Sequence, residues 1–258
     1  MSVLDSIIEG VREDLAARRL PLSQLHEKLS QAPAVIDAHS RLSTDEMAII
    51  AEVKRTSPSK GSLATIEDPQ SLAARYEEAG AAVVSVLTEQ RRFGGTLADL
   101  MAVRSAIDIP ILRKDFMVDE YQFYEARAAG ADVVLLIVAA LSKNQLKDYF
   151  DLATELGMAV LVETHTHQEI EDAMEIEPRI VGVNARNLKT LEIDLNAFST
   201  LIPTIPSSVI RVAESGISQR SEVVRAQGAG AQAILVGEAL VRSGDPAVAM
   251  DQLLGRTR

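Results

Sequence analysis

Eight short apolar runs rich in valine and isoleucine begin near Ala48, Ala81, Ile109, Asp132, Met158, Arg179, Ser208 and Gln232, roughly 26 residues apart on average. Between them lie stretches of helical period, among them 68–80, 96–107, 119–130, 142–157 and 218–228, several opening on a capping residue and closing on glycine. Runs that are apolar throughout, such as 133–138, suit strands of a parallel sheet covered by helices on both faces. An open, doubly wound sheet would satisfy the same alternation. No Gly-rich dinucleotide fingerprint follows the first strand, where residues 54–61 read KRTSPSKG, which favours the barrel. The expected fold class is therefore α/β, a single (β/α)8 TIM barrel.

At 258 residues the chain suits one such barrel better than two ordinary domains. Residues 3–19 read as an amphipathic helix, followed by a short helical stretch at 22–29 and a polar connection to Asp45. The expected organisation is one domain over 1–258, with an N-terminal helical extension (1–45) and a barrel (46–254). Whether the extension caps the bottom of the barrel or folds over its mouth is open from sequence. The last four residues are expected to fray.

Composition narrows the function. The formal charge of −11 repels nucleic acid and anionic membranes, and 3% aromatic residues leaves few platforms for stacked bases. No apolar run reaches the roughly 20 residues of a membrane-spanning helix, and the start lacks signal-peptide character. Zero cysteines remove disulfides, thiolate metal sites and cysteine nucleophiles, in keeping with a reducing compartment. The expected partner is a small phosphorylated molecule and the expected location the cytoplasm. The expected state is a monomer or at most a weak homo-oligomer. In so acidic a chain an anionic ligand has to be held by local groups.

Barrel sites are built at the carboxyl ends of strands, so charged residues directly after apolar runs are the ones to collect. The first run ends on Glu52 and Lys54, the third on Arg113, Lys114 and Asp115, the fifth on Glu163, the sixth on Asn184 and Arg186, and the seventh on Glu214. Strand side chains alternate, so Ile50, Glu52 and Lys54 share one face, as do Ala159, Leu161 and Glu163, and Ile210, Val212 and Glu214. Taken singly, each charge could be a solvated loop start. Together they put lysines and glutamates into one barrel mouth, where a lysine among carboxylates acts as a general acid and a partly desolvated glutamate as a base.

Ser215-Gly216 and Gly237-Glu238, after the seventh and eighth runs, fit the phosphate site of such barrels, although glycines there are often only turn formers. Residues 55–61 are turn-rich enough for a lid or a plain solvated loop, and Ser57 within it could reach an anion. Phe93 and Phe116 could line an aryl pocket or simply pack under a loop. His165 and His167 have the look of a metal pair, but lacking a third ligand they are expected to face solvent, and no metal is assigned.

The strings IIAEVKRTSPSKG, SVLTEQRRFGG, ILRKDFMVDEYQ, LLIVAAL, LVETHT, VGVNARNL, AESGI and LVGEALV, in this order from about Ile49 to about Val241, resemble the indole-3-glycerol phosphate synthase family. The resemblance implies closure of the indole ring of 1-(2-carboxyphenylamino)-1-deoxyribulose 5-phosphate, with loss of carbon dioxide and water, and no cofactor. It implies Lys114 as the general acid and Glu163 as the residue that handles the proton removed in dehydration. Lys54 would bind the substrate carboxylate or share the acid role. Glu52 would orient the lysines and stabilise the iminium-like intermediate, and Asn184 and Glu214 would bind sugar-derived hydroxyls. Ser57, Ser215, Gly216, Gly237 and Glu238, with Arg186, would frame the phosphate end, and Phe93 and Phe116 the anthranilate ring. One departure is Asn187, where the family usually has aspartate, which weakens any salt bridge there to Arg186. Two other functions stand beside it: a Schiff-base aldolase using Lys114 or Lys54, whose chemistry a strand-end lysine beside carboxylates also fits, and a phosphometabolite-binding regulator without turnover, disfavoured because the acid and base positions are both filled.

Overall fold

A computed structural model describes residues 2–57, 61, 62, 66 and 68–256, the side chains of 57, 61 and 62 excepted. Its strands β1 (Ala48–Val53), β2 (Val83–Leu87), β3 (Ile111–Lys114), β4 (Val133–Ile137), β5 (Ala159–Thr164), β6 (Ile180–Asn184), β7 (Ile210–Glu214) and β8 (Ala233–Val236) pair in parallel, each with the next. Pairing of β8 with β1 closes the barrel.

Alternation along these strands divides the apolar side chains into two bodies. Ala48 and Ile50 of β1, Leu112 of β3, Leu135 of β4, Leu161 of β5, Val212 of β7 and Leu235 of β8 fill the interior. Ile49, Ala51, Val53, Val134, Val160 and Val181 point outward and pack under the helices. The parity expected for Glu52, Glu163 and Glu214 follows, since each lies two residues beyond an interior apolar side chain.

The helices between strands begin and end as the capping residues dictate. Asp68, Thr96, Ser142 and Thr166 each accept a backbone N–H of the first turn, opening α4 (Pro69–Glu78), α5 (Leu97–Arg104), α7 (Lys143–Glu155) and α8 (His167–Met174). The stretch expected from 119 forms α6 (Tyr121–Ala128), after Asp119 accepts the N–H of Tyr121. Gly130, at φ +91, turns the chain from α6 back into β4 in a conformation that disfavours side chains.

The N-terminal extension lies at both ends of the barrel. Helix α1 (Val3–Arg18) runs beside the loop after β2, where Arg91 pairs with Glu13 and Asp14, and Arg92 donates to Ser6. Helix α2 (Leu22–Ser30) packs on α6. The chain then reaches the amino-terminal end, where the Ile36 N–H donates to Asp132, the residue before β4. The connection expected to be irregular contains one short helix, α3 (Ala38–Leu42), capped by Asp37; its Ala38 and Leu42 join the interior cluster. Five residues are too few for a helical period to register in sequence.

On the outer side of β3, Arg113 is fully buried. It reaches Asp115 and Glu125 at 3.0 Å each, the Thr88 hydroxyl and the Gln122 carbonyl, and Arg18 of α1 forks onto the same Glu125. Removing the guanidinium strands buried carboxylates, which costs roughly 3–5 kcal/mol. Arg113→Ala is accordingly expected to lose about that much in urea unfolding, and a loss under about 1 kcal/mol would show the network to be dispensable.

Candidate active site

The carboxyl ends of the strands surround a cavity of about 600 Å³. Thirteen of the residues anticipated from sequence line it: Glu52, Lys54, Phe93, Lys114, Phe116, Glu163, Asn184, Arg186, Glu214, Ser215, Gly216, Gly237 and Glu238. The side chain of Ser57 lies outside the described residues, as do residues 58–60 of the suggested lid. The base of that loop is described. Thr56–Ser57 pairs antiparallel with Gly61–Ser62, Thr56 bonds the backbone at Arg92 and Phe93, and Arg55 forks onto Asp99.

The floor of the cavity is a cluster of charges from opposite strands. Lys114 Nζ of β3 lies 3.2 Å from Glu163 Oε2 of β5 and 3.6 Å from Glu214 Oε2 of β7. Lys54 Nζ lies 2.5 Å from Glu52 Oε1, both at the end of β1. Burial works against the charge on Lys114, but Glu163, Glu214 and Glu52 outweigh it and hold the ammonium above the ordinary lysine range. Burial likewise opposes ionisation of Glu163, and Lys114, assisted by His165 and Asn184, more than offsets it, so this carboxyl sits below the usual range.

Glu214 behaves oppositely. Neither of its buried oxygens has a hydrogen-bond partner. Burial and then the charge on Glu163 push its pKa up to about 8, against the pull of Lys114. Two carboxylates sharing one ammonium thus separate into an ionised one and one that holds its proton near neutrality.

Two glycines, one inside β6 and one just past β8, make room for this arrangement. A Cβ on Gly182 of β6 would lie 2.0 Å from Glu214 Oε1, and one on Gly237 would lie 2.9 Å from Glu52 Oε1. Neither Gly182 nor its role was anticipated, although a glycine inside an apolar strand signals a close approach.

The apolar wall carries Phe93 and Phe116, with ring centroids 6.3 Å apart and planes tilted by 37°. Both pack with Leu4, Ile7 and Val11 of the extension. At the other end, Ser215 and Gly216 turn the chain after β7 at φ +67 and +75. A side chain on Gly216 would collide with Ile193 and Leu195. Gly237 precedes α9 (Glu238–Arg242), where Glu238 pairs with Arg242, a cavity cation that strand-end reasoning missed because it sits on a helix. The Arg186 guanidinium donates to the Leu191 carbonyl; Asn187, in place of aspartate, accepts the N–H groups of Lys189 and Thr190. Asn187 closes a local turn here rather than pairing with Arg186.

The expectation that both histidines face solvent is wrong for one of them. His167 is exposed, but His165 turns inward, its side chain only 11% exposed, with Nε2 3.3 Å from Glu163 Oε1. Its place two residues past Glu163 gives it the same inward parity, which is the signal that could have found it.

The family model for indole-3-glycerol phosphate synthase matches residues 4–253. The chain is 54% identical over 256 residues to the indole-3-glycerol phosphate synthase of Rhodococcus jostii (strain RHA1), covering 98% of this chain and 95% of that one. It is 53% identical over 255 residues to that of Mycolicibacterium vanbaalenii, covering 98% and 94%. Among solved structures, a 3-hexulose-6-phosphate synthase superposes with a TM-score of 0.66 at 20% identity, over 81% of this chain and 99% of that one, a likeness of fold. No helix among the described residues is long and apolar enough to cross a membrane. With the family model matched from α1 to α10 (Pro246–Leu254) and more than half of the residues shared with these relatives, the chain belongs to the indole-3-glycerol phosphate synthase family.

Proposed function

We propose that this chain, acting as a single domain in the cytoplasm and as a monomer or weak homo-oligomer, closes the indole ring of 1-(2-carboxyphenylamino)-1-deoxyribulose 5-phosphate. Carbon dioxide and water leave, and indole-3-glycerol phosphate is formed. The observation that carries this reading is the contact of the Lys114 ammonium with the Glu163 carboxylate inside a cavity that is apolar at one end and cationic at the other.

The substrate has an aryl carboxylate at one end and a phosphate at the other, and the two ends of the cavity suit them. The anthranilate ring lies along Phe93 and Phe116, with Lys54 available to its carboxylate. The phosphate sits among Ser215, Gly216, Gly237 and the backbone of Glu238, with Ser57 from the loop after β1 and the positive charge of Arg186 alongside. The ring carbon is then held near the ribulose carbonyl, and positioning alone lowers the barrier.

As the ring carbon attacks, Lys114 protonates the carbonyl oxygen, for which a lysine kept charged by three carboxylates is suited. Glu52 orients the lysines and stabilises the iminium-like intermediate as carbon dioxide leaves. Glu163 takes the proton released when water departs. Asn184 and Glu214 bond the sugar-derived hydroxyls, and Glu214, holding its proton near neutrality, has one to donate. A Schiff-base aldolase would require Lys114 to give up its proton, against the pull of its neighbours.

Incubation of the purified protein with the substrate, followed by indole fluorescence and carbon dioxide release, tests this reading; absence of both removes it. Gly182→Ala, which pushes Glu214 out of its slot, is expected to lower kcat/KM about tenfold or more. The displaced atom is the far end of a side chain, so the urea-unfolding midpoint should stay close to that of the parent. Parent-like kcat/KM would show that Glu214 need not occupy its observed position.

A further inference from the structure

His165 is a largely buried titratable group that the reaction as proposed above leaves unused. Its ring stands between two carboxylates. Nε2 lies 3.3 Å from Glu163 Oε1, at ion-pair distance but off the line of a hydrogen bond, and Nδ1 lies 3.0 Å from Glu169 Oε2. Glu169, in the first turn of α8, also accepts the backbone N–H of His165, while its own N–H donates to Thr166 Oγ1. The imidazole is therefore fixed from the helix side.

A carboxylate only accepts, so each ring nitrogen facing one is best served by carrying hydrogen, which makes the ring an imidazolium. Burial opposes that charge, and Glu163 and Glu169 outweigh it, raising the pKa to about 10. The two oxygens of Glu163 are thereby divided between two cations, Oε1 facing His165 and Oε2 facing Lys114.

We infer that His165 is a positioning residue: held by Glu169, its imidazolium fixes Glu163 Oε1, and so fixes the rotamer that presents Oε2 to Lys114 and the substrate. The other groups bearing on Glu163 do not supply this. Asn184 adds a hydrogen bond to Glu163 but no charge, Glu214 can only donate to it while protonated, and Glu52 and Lys54 pair with each other at the end of β1. Lys114 faces Oε2, so the cation that faces Oε1 is His165. The inference rests on the assignment of Glu163 proposed above.

Two substitutions separate this role from a brace for the start of α8. Glutamine places a side-chain N–H near the position of Nε2, whereas asparagine places one near Nδ1. His165→Ala is expected to lower kcat about tenfold or more with KM within about threefold. His165→Gln should recover more of kcat than His165→Asn. Equal or greater recovery by asparagine, or parent-like kcat in the alanine variant, overturns the inference. A second arm needs no substrate: the ¹⁵N imidazole titration of His165 should fall by about a unit or more in Glu163→Gln, and an unmoved midpoint overturns the coupling. Failure of the parent to turn over substrate would instead strike the proposed function, leaving the titration result standing.

Discussion

Lys114→Ala is expected to lower kcat at least about a hundredfold, the usual worth of a positioned acid. The ammonium is the only charged donor within 4 Å of both Glu163 and Glu214 among the described residues. Its removal therefore takes away the proton for the carbonyl oxygen and also the charge that keeps Glu163 ionised. Glu163 would keep the His165 imidazolium beside it but lose its largest opposing charge, so its pKa would rise and it would hold its own charge less firmly. Because one deletion disables both partners, combining it with Glu163→Gln should cost little more than either change alone. Steady-state turnover, with circular dichroism to verify folding, checks this; near-parent turnover in Lys114→Ala removes it from the acid role.

Glu163→Gln should be comparably severe, about a hundredfold or more in kcat, for a different reason. The amide fills the same space and cannot take up a proton. Its stability cost should be modest, because removing the Glu163 charge lets Glu214 ionise and take over the pairing with Lys114. A direct corollary is that the pKa of Glu214, about 8 in the parent, moves down in this variant. The sign for stability follows. A carboxyl depressed on folding contributes above the ordinary carboxylate pKa and loses that contribution as pH falls through its folded value. Below the ordinary carboxylate pKa only Glu163 of this pair titrates in the folded parent, so the parent should lose more stability than the variant as pH falls through that range; above it Glu214, raised to about 8, works the other way and costs the parent stability as pH rises. Acid unfolding of the two proteins checks it, and coincident acid transitions would mean that Glu163 is not depressed by folding.

Much of this site was legible because strands alternate and barrels place chemistry at their carboxyl ends. Once eight runs had been found, parity put Glu52, Glu163 and Glu214 inside, and Lys114 followed from its place at the end of the third run. What stayed illegible had physical reasons. His165 lies one step past β5, where a loop is expected, although the alternation persists that far. Gly182 acts by having no side chain. Arg242 reaches the cavity from a helix, where strand parity says nothing. Arg113, a charge with outward parity, reads as solvated until Glu125 of α6 and Arg18 of α1 are found beside it, contacts about 12 and 95 residues away in sequence. The placement of the extension was undecidable from sequence because its apolar face fits either end of the barrel, and it turned out to serve both.

That double placement bears on how small such a catalyst can be made. Cutting the chain back to its first barrel strand would uncover Phe116 at the mouth and Ala48 at the base in one stroke, wetting greasy surface at opposite poles. The preceding helices are better regarded as a clasp whose two ends are fastened by different chemistry, arginine forks above and apolar plugs below. A trimmed variant would need both fastenings replaced before its eight repeating units could stand alone.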